Sequence, residues 1–163
     1  MGSIFSRVIV LSSDVFKRGV SLAYVLGIDK KSFSIEFYRT EPAAGAGWAI
    51  YQATSASAIV HAHPPHAIAL ALAETEIVPT DAEGLSVLNH IPVLVWDMEV
   101  KPGGQADIIA QALKKCRTIM VCGHGSFAIG QLLEEAHNCT TMLEESCQVI
   151  CLLKSLRVEQ SRK

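Results

Sequence analysis

The sequence has no uninterrupted apolar run near the ~18 residues a membrane-spanning helix needs, which excludes that class of protein. Behind the N-terminal "MGSIFSRVIVLSSD" there is no hydrophobic block followed by a small-residue cleavage site. No secretory leader is therefore expected, and a cytoplasmic setting is the default. An excess of positive charge is missing too: 14 Lys and Arg stand against 16 Asp and Glu, a net charge of −2. Nothing in that balance offers an electrostatic footprint for nucleic acid. The pairs Lys30-Lys31 and Lys114-Lys115 read as solvated helix or turn ends. Cysteines at C-x-x-C spacing are absent as well. The five present (Cys116, Cys122, Cys139, Cys147 and Cys151) are odd in number and crowd the C-terminal third. They read as reduced thiols in an apolar core, not as a zinc ribbon or a disulfide framework. No internal repeat and no linker divides the chain, so a single domain over residues 1–163 is expected.

What is present is apolar material. Half of the 163 residues are hydrophobic and the mean hydropathy is +0.31. That suffices for one domain with a substantial core and leaves surface for a subunit interface. Short β-like runs alternate with helical stretches, which predicts a layered α/β fold. "RVIVL" (7–11), "LAYVLGID" (22–29) and the alternating "SFSIEFYR" (32–39) read as strands. "TEPAAGAG" reads as a loop, by its proline and glycines, leading into a short helix "WAIYQAT". "SAIVHAH" reads as a strand and "PHAIALALAE" as a helix with Pro65 in its first turn. "IPVLVW" is a buried strand, "KPGGQADIIAQALKKC" a turn and amphipathic helix, and "TIMVCGHGSFAIG" two strands around a histidine. Leu132, Ala136, Cys139, Leu143, Cys147 and Ile150 recur at steps of three or four, one long C-terminal helix with Glu134 and Glu135 near its positive end.

Half of the six histidines fall within "HAHPPH", flanked by apolar residues. On a strand, His61 and His63 leave the same face, so their nitrogens converge without any bend of the backbone. Three imidazoles around zinc leave an open coordination position, as catalytic sites do. The H-x-H spacing alone does not favour a metal over satisfied core or surface histidines. His90 and His137 sit in polar surroundings and read as solvated. His124 differs: it lies between two glycines in "VCGHGSF", where a core strand breaks and the backbone takes shapes closed to other residues. It is the candidate third ligand. His66, one turn beyond, reads either as a partner to the ligands or as surface.

"IVHAHPPHAIALAL", followed about sixty residues later by "VCGHGSFAIGQLLEEAHNCTTMLEESCQVICLLK", resembles the class II aldolase/adducin family. The resemblance covers at least residues 51–154. It implies a three-layer α/β fold with a central, largely antiparallel sheet flanked by helices. It implies His61, His63 and His124 as ligands of zinc or another divalent metal. It further implies aldol cleavage of a small sugar or sugar-phosphate carbonyl compound through a metal-stabilised enediolate, in a homo-oligomer, with a tetramer favoured.

The N-terminal part departs from that pattern. "GSIFSR" has Ser3 and Phe5 where the family has Asn and Ser, and Asp14 stands where the family has Gly. An aspartate there repels a phosphate dianion. The acid–base Glu of the family's aldolases falls on Ala43, with Glu41 the nearest carboxylate. Asp81 and Glu83 in "PTDAEG" are further catalytic candidates, with a helix N-terminus as their other reading. The tail "SLRVEQSRK" has no Tyr to donate a proton. Two functions therefore stand: a divergent metal-dependent lyase, or a non-catalytic, metal-stabilised interaction domain of the adducin kind.

Overall fold

The computed structural model describes residues 8–12, 23–25, 42–95 and 104–156. The strands are β1 (Val8–Ser12), β2 (Ala23–Val25), β3 (Ala58–Ala62), β4 (Glu76–Ile77), β5 (Ile91–Leu94), β6 (Thr118–Val121) and β7 (Gly125–Gly130). The helices are α1 (Pro42–Ala53), α2 (Pro65–Ala71), α3 (Ala82–Val87), α4 (Gly104–Ala112) and α5 (Leu133–Ser155). The strands form one seven-stranded sheet in the order β2-β1-β3-β7-β6-β5-β4. Every neighbouring pair is antiparallel except β5 with β6.

Strand periodicity divides the core in two. Ile59 of β3, Ile119 and Val121 of β6 and Phe127 of β7 bury against α1 and α4, with Ile50 and Ile109. The residues between them, Met120 and Ala128, face α2 and α5 and pack with Leu70, Cys139 and Leu143. Successive side chains on a strand take opposite faces, so a sheet apolar on both faces must be covered on both. The result is the expected three-layer α/β architecture with a largely antiparallel sheet.

Three local readings need correction. "PAAGAG" is not a loop: α1 begins at Pro42, the favoured first position of a helix, and runs through both glycines. Ala46 and Ile50 of α1 bury against Ile109 and Ala110 of α4. Tertiary burial thus overrides the weak helix propensity of glycine. The second correction is β4, a two-residue edge strand paired with Ile91 and Pro92; two residues show no periodicity. The third is small: β3 ends at Ala62, so His63 lies one residue beyond it. The strand read at 32–39, the loops around Ser3 and Asp14, and Glu41 lie outside the described residues.

The cysteine reading holds for the described chain: all five are free thiols, with Cys139 and Cys147 buried. Burial pushes both thiols up from their ordinary value, which makes them poor nucleophiles. No helix among the described residues is long and apolar enough to cross a membrane. Ile91, fully buried in β5, tests the core on the α5 side. Ile91→Ala should cost about 2–5 kcal/mol, read as a lowered midpoint in urea denaturation with an unchanged slope.

Candidate metal centre

The two central strands build the site. β3 and β7 pair with His61 opposite Phe127 and Ala62 opposite Ser126. His61 is 2% exposed, and its ring stacks on Phe127 at 4.3 Å between centroids. Its Nδ1 lies 2.9 Å from the Ser126 carbonyl oxygen. A carbonyl only accepts, so Nδ1 carries the proton and donates it, and in the neutral ring Nε2 keeps its lone pair. That Nε2 faces Nε2 of His63 at 3.2 Å.

His124 completes the group. The three ring centroids are 4.9, 5.0 and 5.2 Å apart, a nearly equilateral triangle. One nitrogen from each ring lies within 4.8 Å of the others. Two imidazoles on one tetrahedral zinc, each at about 2.0–2.1 Å, hold their nitrogens roughly 3.3–3.4 Å apart. The His61–His63 separation matches that value. A ligand imidazole commonly donates its other N–H to a carbonyl or carboxylate, as His61 does. The donor set therefore fits a divalent ion with an affinity for imidazole, zinc among them.

Two glycines make the convergence possible. Gly123, with φ +66°, takes the left-handed conformation that turns β6 into β7 and carries His124 across. In that turn the His124 N–H bonds the Val121 carbonyl at 3.0 Å. Gly125 is needed for space: a Cβ there would collide with the Ala62 carbonyl oxygen and lie 2.6 Å from Cδ2 of His63. Both glycines of "GHG" thus act, one through backbone freedom and one through its missing side chain.

Of the carboxylates named from sequence, Asp81 and Glu83 lie among the described residues, and neither belongs to the convergent set. Asp81 caps α3, its Oδ1 accepting from the Gly84 N–H at 2.7 Å. Desolvation works upward on its carboxyl, but the nearby Ser146 hydroxyl and the hydrogen bond from the Gly84 N–H hold it below the usual carboxylate range. Glu83 is exposed in the first turn of the same helix. Ala43 lies in the first turn of α1. Among the described residues the convergent set consists of His61, His63 and His124. Two clefts of about 490 and 500 Å³ lie elsewhere, with no histidine in their walls; donor chemistry, not volume, marks the site.

One residue escaped sequence reasoning. Glu144 of α5 is 2% exposed and accepts four hydrogen bonds, all from His66 and Ala67 at the start of α2. His66 is thereby paired, through Nδ1 at 2.7 Å. The signal was present in the spacing: Thr140, Leu143, Glu144 and Cys147 fall at i, i+3, i+4 and i+7 of one buried stripe. A glutamate on such a stripe requires a partner.

The profile described as Class II Aldolase and Adducin N-terminal domain matches residues 42–151. The chain belongs to that family. The structure of L-fuculose-1-phosphate aldolase from Thermus thermophilus superposes with a TM-score of 0.73 and 25% identity, over 99% of this chain and 89% of that one. A further L-fuculose 1-phosphate aldolase gives 0.69 at 20% identity, over 94% of this chain and 79% of that one. The sugar-phosphate aldolase from Thermotoga maritima gives 0.63 at 16% identity, over 99% and 89%. No curated protein matches this chain.

The packing at Gly125 gives a direct test. Gly125→Ala should displace the His63 ring, and cobalt(II) uptake by the purified protein, followed by its visible d–d absorption, should fall at least about tenfold.

Proposed function

We propose that this chain is a metal-dependent class II aldolase-type lyase that acts on a small sugar or sugar-phosphate carbonyl compound. In this reading His61, His63 and His124 hold the divalent ion, with zinc as the first choice. The observation that carries it is the orientation of the His61 ring. Its Nδ1 donates to the Ser126 carbonyl, which turns Nε2 toward the His63 nitrogen 3.2 Å away. Two nitrogens at that distance are either one hydrogen bond or two ligands of one cation. The third ring, nearly equidistant from both, favours the cation.

A bound ion would supply Lewis-acid stabilisation of the oxygen charge that develops as the carbon–carbon bond breaks. The chain's own contribution is orientation and exclusion of water. Phe127 floors the His61 ring, and burial of β3 and β7 fixes both strands before any ligand arrives. Three protein ligands leave a coordination position for substrate oxygen. Proton transfer, typically ~10²–10⁴-fold in rate, falls to Glu41, Asp81 or Glu83, because position 43 is alanine. Asp81 already accepts the α3 cap, which makes it the weakest of the three.

Ala43 also supports the second reading, a non-catalytic adducin-type interaction domain stabilised by the same metal. In either reading a second copy of the chain suits the exposed apolar residues Val149, Leu152 and Leu156 along α5. The small-molecule substrate follows from the family resemblance, and the charge balance offers no footprint for nucleic acid.

Metal analysis of the untagged protein should find about one divalent ion per chain, lost in His124→Ala. The loaded protein should cleave a short phosphorylated or unphosphorylated ketose. Chelation should abolish the reaction, and Glu41→Gln should slow it about 10²–10⁴-fold. Full metal retention in His124→Ala removes that residue from the site. Loaded protein without cleavage of any ketose leaves the interaction-domain reading.

A further inference from the structure

We infer that Glu144 is a positioning residue for the metal centre: from α5 it clamps the start of α2 and so fixes where His63 stands, an inference that rests on the metal reading above. The helix α2 begins behind Pro64, which has no side-chain cap to offer. A Ser or Asp at that position would cap it locally. The chain instead uses a carboxylate from far downstream. Glu144 Oε2 accepts from the N–H groups of His66 and Ala67, both at 3.1 Å. Its Oε1 accepts from the His66 N–H at 3.2 Å and from His66 Nδ1 at 2.7 Å. All four bonds span 77 or 78 residues. A local cap would hold α2 together; this one also ties it to another element.

What lies between the clamp and the ligand is stiff. Only Pro64 and Pro65 separate His63 from His66. Each proline ring fixes its own φ, and each restricts the residue before it to extended backbone. Pro64 is buried with φ −73° and ψ 118°. Few soft dihedrals remain, so a shift in the first turn of α2 is passed on to His63. On its other side His63 leaves β3, whose position is set by pairing with β7. Glu144 therefore fixes the second end of the segment that carries two of the three imidazoles. Among the described residues no lysine or arginine pairs with Glu144; burial of such a carboxylate is costly, and capping one short helix is a small return for it. A metal ligand set that tolerates little displacement is a larger one.

The test is zinc affinity, measured by competition with a chromophoric chelator, alongside urea stability. Glu144→Gln keeps the shape but presents an amide N–H₂ to N–H donors. Its zinc affinity should fall about 10–100-fold. Ile91→Ala, which destabilises the core from β5 without touching the strut, should stay within about twofold of wild type. Equal affinity in Glu144→Gln and wild type, or a loss no greater than in Ile91→Ala, overturns the inference and leaves Glu144 a helix cap. If Glu144→Gln does not fold, Pro65→Gly decides, because Pro65 is exposed and the change loosens the strut alone. There the expected loss is roughly three- to tenfold, and unchanged affinity overturns the inference. A wild-type protein that binds no zinc sensitive to His124→Ala sinks the metal reading itself, a different result from zinc that binds and ignores Glu144.

Discussion

The hydrogen bond from His61 Nδ1 to the Ser126 carbonyl, across the pair β3–β7, is the constraint on which the site depends. It satisfies a polar group that is otherwise buried among Phe127 and Ile59, where an unpaired N–H would cost about 1–3 kcal/mol. It also selects a tautomer. Because the carbonyl can only accept, the lone pair is left on the far nitrogen, and the geometry of two strands becomes a statement about ligand chemistry. One contact thus serves both the fold and the placing of the imidazole cluster.

The remaining parts follow from what this pair needs. His63 must come close to His61, so the strand opposite has no Cβ at Gly125. His124 must reach across from the next hairpin, so Gly123 takes a positive φ. The sheet must be rigid, so both faces are buried, with α1 and α4 on one side and α2, α3 and α5 on the other. Glu144 belongs to the second layer yet bears on the first, because the short Pro-Pro bridge crosses from the end of β3 to the start of α2.

Membership in the class II aldolase and adducin family gives this centre a chemical context. The likeness to the Thermus thermophilus aldolase extends over nearly the whole chain at 25% identity. The imidazole cluster is compatible with metal-assisted carbon–carbon chemistry, while Ala43 removes the carboxylate that the family resemblance would place beside it. The electrostatic and the proton-transfer contributions to such a reaction are separable, and in this chain they have different standing. The first has its residues assembled; the second has three candidates, one of them already engaged as a helix cap.

The layered α/β class and most strands were legible from the sequence, because burial imposes periods of two and of three to four along the chain. The H-x-H pair was legible because a strand's alternation puts i and i+2 on one face, and His124 because two glycines flank it where a core strand breaks. The helix from Pro42 was not, since two glycines and a proline look like a loop until Ile109 and Ala110 are there to bury Ala46 and Ile50. Nor was the clamp from Glu144 to the start of α2, whose partners lie 77 and 78 residues away. By itself the sequence determined which side chains share a strand face, because that depends on neighbours along the chain. Only the tertiary structure decided that His124 meets the other two rings, which nitrogen of His61 turns toward the Ser126 carbonyl, and what satisfies a buried glutamate. Each of those is a contact between segments distant in sequence, set by strand register and helix packing that no local pattern encodes.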